Sequence, residues 1–253
     1  GLRYDTDSDF GAHSSLKLAA AWKLRDGATL LRANYGDGFK APSLYQLFSE
    51  YSNPVARLAP ESARGWEAGL DQRFHDGRAS ASLTLFERRT SDQIDFYSCY
   101  GVVSPACAVR PFGYYDNINR SRARGVELEV TAQLSTSIML AGNITYLEAI
   151  DLASQYDLAR RPRQMANLRI NWQATSKCSL GADLGYTGAR FDDSFESSPL
   201  PGYVLVNGHA AFAVNRRLQF YARIDNVLDQ RYQPVAGYGA LPRTFAIGLR
   251  AGL

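Results

Sequence analysis

The sequence predicts an all-β protein, an antiparallel transmembrane β-barrel. Three observations carry this expectation. Apolar and polar residues alternate with a period of two along most of the chain, as strands with two unlike faces require. Most alternating segments run 9–12 residues, longer than the ~5–6 of an ordinary soluble strand and close to the ~9–11 that cross a bilayer at a tilt. The connections alternate between short turns and long polar loops, the asymmetry of a barrel with one short-turn rim and one long-loop rim.

Eleven segments follow the alternation: 14–22, 28–36, 64–74, 79–90, 124–134, 138–148, 164–174, 178–188, 203–214, 218–226 and 243–253, with residues 1–4 as the end of a twelfth. In the fifth, Val126, Leu128, Val130, Ala132 and Leu134 interleave with Glu127, Glu129, Thr131 and Gln133. In the seventh, Ala166, Leu168, Ile170, Trp172 and Ala174 oppose Asn167, Arg169, Asn171 and Gln173. Val204, Val206, Ala210, Phe212 and Val214 then oppose Asn207 and His209. Leu218, Phe220, Ala222 and Ile224 alternate with Gln219, Tyr221, Arg223 and Asp225. Phe245, Ile247, Leu249, Ala251 and Leu253 close the series. Short turns fall at Arg25-Asp26-Gly27, at His75-Asp76-Gly77, and between 134 and 138, 174 and 178, and 214 and 218; long loops occupy 36–63, 91–123, 149–163, 189–202 and 227–242. Trp22, Tyr35, Phe74, Tyr146, Trp172 and Tyr186 sit near segment ends, where interfacial aromatic girdles lie. Alternation alone also fits a soluble sandwich or propeller; strand length, loop rhythm and aromatic placement favour the barrel.

Composition excludes other classes. The 253 residues are 45% hydrophobic and 21% charged, which is too apolar for a disordered chain. The longest apolar runs, such as Leu18–Trp22, fall far short of the roughly 18 residues of a spanning helix. A net charge of +3 is too small and dispersed for a nucleic-acid partner. His13, His75 and His209 are far apart in sequence and no carboxylate cluster accompanies them, so neither a metal site nor a cofactor is expected. Asn207 and His209 lack a serine and an aspartate at hydrolase spacing, so no catalytic residues and no enzymatic activity are expected. Gly36-Asp37-Gly38 is not a phosphate-binding loop, because its glycines serve a loop after a strand and no helix is expected to follow. The chain opens on Gly1, so the signal segment of an exported protein would lie outside it.

Three stretches resemble TonB-dependent outer-membrane receptors, and within them the vitamin B12 (cobalamin) transporter group. They are Gly36-Asp37-Gly38-Phe39-Lys40-Ala41-Pro42-Ser43-Leu44-Tyr45-Gln46-Leu47-Phe48 with Asn53-Pro54 and Pro60-Glu61; Asn117 to Glu127; and Asp225 to Tyr238 running into Pro242-Arg243. The resemblance implies that residues 1–253 are the C-terminal part of a 22-stranded barrel, about eleven strands, with the N-terminal plug absent. Such a half-barrel is expected to be a piece of a longer protein or to be completed by something else, since lipid does not tolerate open sheet edges. The segment Val55–Ala59 is longer than the family's, and Leu253 stands where such barrels end in an aromatic residue. The implied location is the outer membrane of a Gram-negative bacterium, in contact with its lipid and lipopolysaccharide. The implied function is uptake of a large metal chelate, cobalamin first and a ferric siderophore second, driven by the TonB complex through the plug. A non-transporting barrel remnant or surface structural protein is the third reading.

The candidate ligand contacts lie in the long loops. Tyr238, framed by Gly237 and Gly239, sits where the family offers an aromatic to its substrate; the alternative is a loop residue packing on its neighbours. Arg160 and Arg161 before Pro162 could reach ligand oxygens, or could pin the loop to carboxylates or bind lipopolysaccharide. Tyr97, Tyr100 and Tyr115 belong to a dense aromatic stretch with Phe96, Phe112 and Tyr114, which would contact ligand or pack on itself. Cys99 and Cys107, seven residues between them, are expected to form a disulfide on the oxidising side of the inner membrane. Arg120, Arg122, Arg124, Glu127 and Glu129 form a charge ladder expected to face a wet lumen.

Overall fold

The structure is a computed structural model that describes residues 1–7, 10–24 and 27–252, with backbone alone for Ile118 and Asn119. The predicted turn residues Arg25 and Asp26, and Leu253, lie outside the described residues.

Alternating segments become strands: β1 (Leu2–Asp7), β2 (Gly11–Leu24), β3 (Thr29–Lys40), β4 (Glu61–Phe74), β5 (Ala79–Ser98), β6 (Gly113–Gln133), β7 (Ile138–Asp151), β8 (Gln164–Gln173) and β9 (Cys178–Thr187). Two short strands, β10 (Arg190–Phe191) and β11 (Pro199–Leu200), form a hairpin inside a loop. Then come β12 (Tyr203–Ala213), β13 (Leu218–Asp225) and β14 (Thr244–Ala251). All except β10 and β11 join one twelve-stranded antiparallel sheet in chain order. Among the described residues β1 and β14 are its two edges.

Register turns the sequence alternation into a wall. One cross-strand row runs Trp22–Leu31–Leu70–Leu83–Leu128–Ile144–Ala166–Tyr186–Val204. It spans nine strands, and its only polar side-chain groups are the indole N–H of Trp22 and the phenol of Tyr186. A slip of one residue would put Glu127 or Glu129 into this row. No second sheet covers the row. Trp22 remains 69% exposed and Ile144 58%. The chain exposes 16975 Å², whereas a compact monomer of 28.0 kDa exposes about 11,000 Å². The excess is that of a single-layer wall with both faces open, which removes the sandwich reading.

The turns obey local chemistry. His75, Asp76 and Gly77 take φ values of 50°, 54° and 89° in the β4–β5 turn, a left-handed run that Asp and Gly tolerate best. Gly125 on β6 is required for another reason. A Cβ there would lie 2.2 Å from the Tyr146 carbonyl and 2.8 Å from the Phe86 ring, which packs across from it.

Two expectations are corrected. Residues 91–123 are not a loop for most of their length. β5 and β6 continue to Ser98 and back from Gly113, with a register irregularity between Thr90 and Ile94, so only 99–112 is loop. Above the membrane both faces of a hairpin meet water, so the alternation that marks a strand is lost. The charge ladder also divides between two faces. Arg122 and Arg124 share the alternation of Val126, Leu128 and Val130, whereas Glu127 and Glu129 take the opposite face. The arginines therefore lie on the apolar, lipid-facing side of the wall, beyond the apolar band, and only the glutamates line the polar face.

The wall yields a test. Leu128→Arg, at the centre of the apolar row, is expected to destabilise the barrel by about 2–4 kcal/mol, while Glu129→Gln on the other face leaves it within about 0.5 kcal/mol. Urea-dependent unfolding of the protein in lipid vesicles, followed by tryptophan fluorescence, measures both.

Candidate ligand-binding loops

All long connections fall on one rim, and their contacts form two groups. The first joins loop 41–60 to the β5–β6 hairpin. Helix α1 (Leu44–Phe48) opens this loop with a capping box: the Gln46 N–H donates to the Ser43 hydroxyl at 3.2 Å, and the Ser43 N–H to Gln46 Oε1 at 2.8 Å. Asn53 Oδ1 accepts the N–H groups of Val55 and Ala56, while its amide donates to Asp116 at 3.0 Å. Asn117 accepts from the Ala59 N–H at 2.8 Å and donates to the Ala59 carbonyl at 2.9 Å. Arg110 donates to Ser52 at its carbonyl and its hydroxyl. The motif residues Asn53 and Asn117 are therefore staples that seat the loop on the hairpin.

These staples assemble the aromatics. Tyr115 meets Phe96 edge-on at 5.6 Å and Tyr45 at 6.1 Å; Tyr51 meets Phe96 at 5.7 Å. On the opposite face of the hairpin Tyr97 lies 5.5 Å from Tyr114. That pair packs against the Cys99–Cys107 disulfide, which is formed, and against Ala106. Helix α2 (Pro105–Val109) carries Cys107 and is capped by the Ser104 hydroxyl. Tyr97 is thus held in a small core, Tyr115 in the aromatic cluster, and Tyr100 at the tip is 95% exposed.

The second group joins loops 152–163, 188–202 and 226–243. Arg160, at φ 60°, pairs with Asp192 at 2.8 Å, and its N–H donates to the Phe191 carbonyl. Its guanidinium therefore pairs with a carboxylate of the neighbouring loop. Arg161 is exposed and has no side-chain partner among the described residues. Arg190, which sequence reasoning passed over, is buried. It donates to the carbonyls of Gln233 and Pro234 and lies 5.5 Å from the Tyr203 ring, beside Tyr232. Asn226 is also buried; it donates to the Gln230 carbonyl and accepts the Gln230 N–H, while its own N–H donates to Asn207. Asn207 is thereby committed to structure, and His209 stands 3.8 Å from Asp183. Tyr238 ends a tight turn closed by its N–H to the Val235 carbonyl, with Gly237 at φ 79° as a type II geometry demands, and its ring is 71% exposed. The rim thus separates the sequence candidates: Tyr97, Tyr100 and Tyr115 lie in one group, Arg160, Arg161 and Tyr238 in the other.

Asp193 organises the tip of loop 188–202. Burial pushes its carboxyl upward, but the N–H groups of Phe195, Ser197 and Ser198 and the Ser197 hydroxyl outweigh burial and hold it below the ordinary carboxylate range. A carboxyl lowered by folding stabilises its turn above the unfolded value of about 3.9 and loses that contribution as pH falls through the folded value. Acidification is therefore expected to open the 193–198 turn, and Asp193→Asn to remove that pH dependence, as read by amide exchange at Ser197 and Ser198. Replacing both Cys99 and Cys107 by Ser is expected to destabilise the hairpin tip by about 2–3 kcal/mol, the loop-closure value for so short a ring. Faster amide exchange over 96–115, with the sheet unchanged, is the readout.

Comparison with known proteins agrees with the wall and loop pattern. A family model described as "TonB dependent receptor-like, beta-barrel" matches residues 1–227. Among solved structures, a ferric enterobactin receptor variant from Pseudomonas aeruginosa in complex with enterobactin is 23% identical with a TM-score of 0.80, over 99% of this chain and 42% of that one. The ferric-catecholate import receptor of E. coli K12 is 21% identical with a TM-score of 0.74, over 95% and 35%. The ferripyoverdine receptor of the Pseudomonas aeruginosa outer membrane, bound to ferripyoverdine, is 18% identical with a TM-score of 0.75, over 95% and 33%. This chain spans between a third and about two-fifths of the length of these structures. At these identities the likeness is one of fold. On the match over residues 1–227, the chain belongs to the TonB-dependent receptor-like β-barrel family.

Proposed function

We propose that this chain supplies wall and outer loops to an outer-membrane receptor that captures a ferric siderophore for TonB-dependent uptake. The observation that carries the reading is the chemistry of the long-loop rim. Tyr45, Phe48, Tyr100, Phe112, Phe195 and Tyr238 stand exposed there. Arg161 offers an unpartnered guanidinium among them. Exposed aromatic faces and cationic forks suit a bulky, anionic chelate with aromatic iron-binding rings. Aromatics left in water on capped and disulfide-closed loops lose little conformational entropy when they stack on a ligand.

The structural neighbours support a ferric chelate over cobalamin, because the three described above are receptors for iron complexes. The cobalamin reading rests on the motif resemblance alone. Those motifs (Asn53-Pro54, Asn117, Asp225–Asp229) are occupied in holding loops together and carry no ligand information. The energy for release would come from TonB, acting on parts of a receptor other than these loops.

Equilibrium binding to the protein isolated from the outer membrane separates the readings. A ferric tris-catecholate is expected to bind and cyanocobalamin not to. Tyr238→Ala and Arg161→Gln are each expected to weaken the ferric complex about tenfold, or about 1.4 kcal/mol. Binding of cyanocobalamin alone would select the cobalamin reading, and binding of neither would select the non-transporting remnant.

A further inference from the structure

The short-turn rim concentrates positive charge. Lys23, Arg73, Arg78, Lys177, Arg216, Arg217 and Arg250 stand in or next to its turns, and Asp76 is the one acid beside them. Arg25 and Asp26 cancel in charge and lie outside the described residues. Seven cations against one acid leave an excess of six in a chain whose net charge is +3, so the rest of the molecule is net negative. All seven are exposed, and none has an ion pair among the described residues. Arg250 reaches only the neutral Gln219, at 3.4 Å. Elsewhere the fold pairs its arginines: Arg32, Arg122, Arg163 and Arg169 each meet a carboxylate.

Strand parity places these charges away from lipid. At this rim Trp22, Phe74 and Trp172 hold the apolar face, while Lys23, Arg73 and Arg250 alternate with Trp22, Phe74 and Leu249 onto the polar face. Arg78, Lys177, Arg216 and Arg217 stand in the turns themselves. Lys23 and Arg73 line one recess of about 650 Å³, with Asp76 and Gly77. No turn tip carries a large apolar side chain. Thr136 and Ser176 are exposed between the charged turns, and their hydroxyls have no partner among the described residues. Successive short turns are two strands apart, about 10 Å. From β2 to β14 the cations are strung along about 50 Å of rim.

We infer that this rim docks the carboxylate-bearing peptidoglycan that lies beneath an outer membrane, the side that short turns face. The partner must be anionic, because the cations have no carboxylates of their own. It must be a polymer, because charges strung over separate turns do not converge on one small anion. It is not a lipid leaflet, because aromatic and apolar residues hold the lipid side of this rim. It is not a folded protein surface, because such interfaces anchor on buried aromatic or apolar residues, and the tips offer none. A hydrated glycan with carboxylates on its peptide branches meets all four conditions. Guanidinium and ammonium groups take the carboxylates, and Thr136 and Ser176 can donate to or accept from sugar hydroxyls. The assignment is independent of what the long loops capture and of the plug, since it uses only turns of the wall.

The test uses the protein purified from its outer membrane in an uncharged detergent and cosedimented with isolated peptidoglycan sacculi. Capture at low salt is expected, with release at about 1 M salt, where the screening length is about 3 Å. Amidation of the sacculus carboxylates is expected to cut capture severalfold. R73Q/R78Q/R216Q/R217Q is expected to weaken it about tenfold. Asp76→Asn is expected to strengthen it, since it removes the one acid and keeps a residue that tolerates φ 54°. R64Q/R120Q, equally exposed but on the long-loop rim, is expected to leave it unchanged. Heat-modifiable electrophoretic mobility verifies that each variant is assembled. If the quadruple variant does not assemble, R73Q/R78Q and R216Q/R217Q are read separately, with a severalfold loss expected from each. No capture at low salt, equal capture on amidated sacculi, or unchanged capture of the short-turn variants would overturn the assignment. Displacement by polyglutamate at a lower carboxylate concentration than by soluble peptidoglycan fragments would overturn it in favour of an acidic polypeptide.

Discussion

Hydrocarbon offers no partner to a peptide group, so every N–H and C=O within it must find another strand. That constraint organises the rest of the molecule. It demands long, fully paired strands in chain order, and these run as β1 to β9 and β12 to β14 without a crossover. Pairing fixes register, register fixes which side chains share a face, and the shared face decides what the wall meets. The row from Trp22 to Val204 is the result. No buried core is needed, and the described residues contain no large side chain that is fully buried. Stability comes from ladder hydrogen bonds and from lipid contact, not from an interior.

The same constraint explains how legible the fold was. Within the membrane one face must be apolar and the other polar, so Val126 to Leu134 or Leu218 to Ile224 announce themselves as strands. Beyond the membrane the demand lapses. The upper parts of β5 and β6 carry polar and aromatic residues on both faces, and nothing in their sequence distinguishes them from a loop. Residues 91–98 and 113–123 are strand because they pair with each other across the hairpin, while the β4 ladder stops at Ser91 and the β7 ladder at Ser121. The arginines of β6 illustrate a subtler loss. Arg120, Arg122 and Arg124 are charged, and charge in sequence points to a lumen; parity with Leu128 places Arg122 and Arg124 on the outer face.

The loops were legible only as loops. Their aromatic content was visible, but which residues are spent on structure was not. Arg190 is buried against carbonyls 43 and 44 residues away in sequence, and no local pattern signals such a contact. Arg160 reads in sequence as either a ligand contact or a loop pin, and in the fold it is the partner of Asp192. The capping box Ser43–Gln46 and the short helix Leu44–Phe48 it opens correct the expectation that no helix follows Gly38. The spacing of the box is local, and the sequence contained it in full.

The residues of the stretches that carry the resemblance are those least able to report a ligand. Asn53, Asn117, Gly125, Asn226 and Asp229 each solve a backbone problem: a loop end to be pinned, a close approach beneath Phe86, a left-handed turn at φ 54° or 53°. Any receptor of this architecture must solve the same problems, whatever it carries. On the proposed function, ligand choice would reside in side chains that the scaffold leaves unspent, such as Tyr100, Arg161 and Tyr238. These sit on capped or tightly turned segments whose backbone geometry depends little on the exposed side chain. A resemblance built on staples therefore identifies the family and its fold, and it carries no information about a ligand, because the residues that make it are spent on holding loops together.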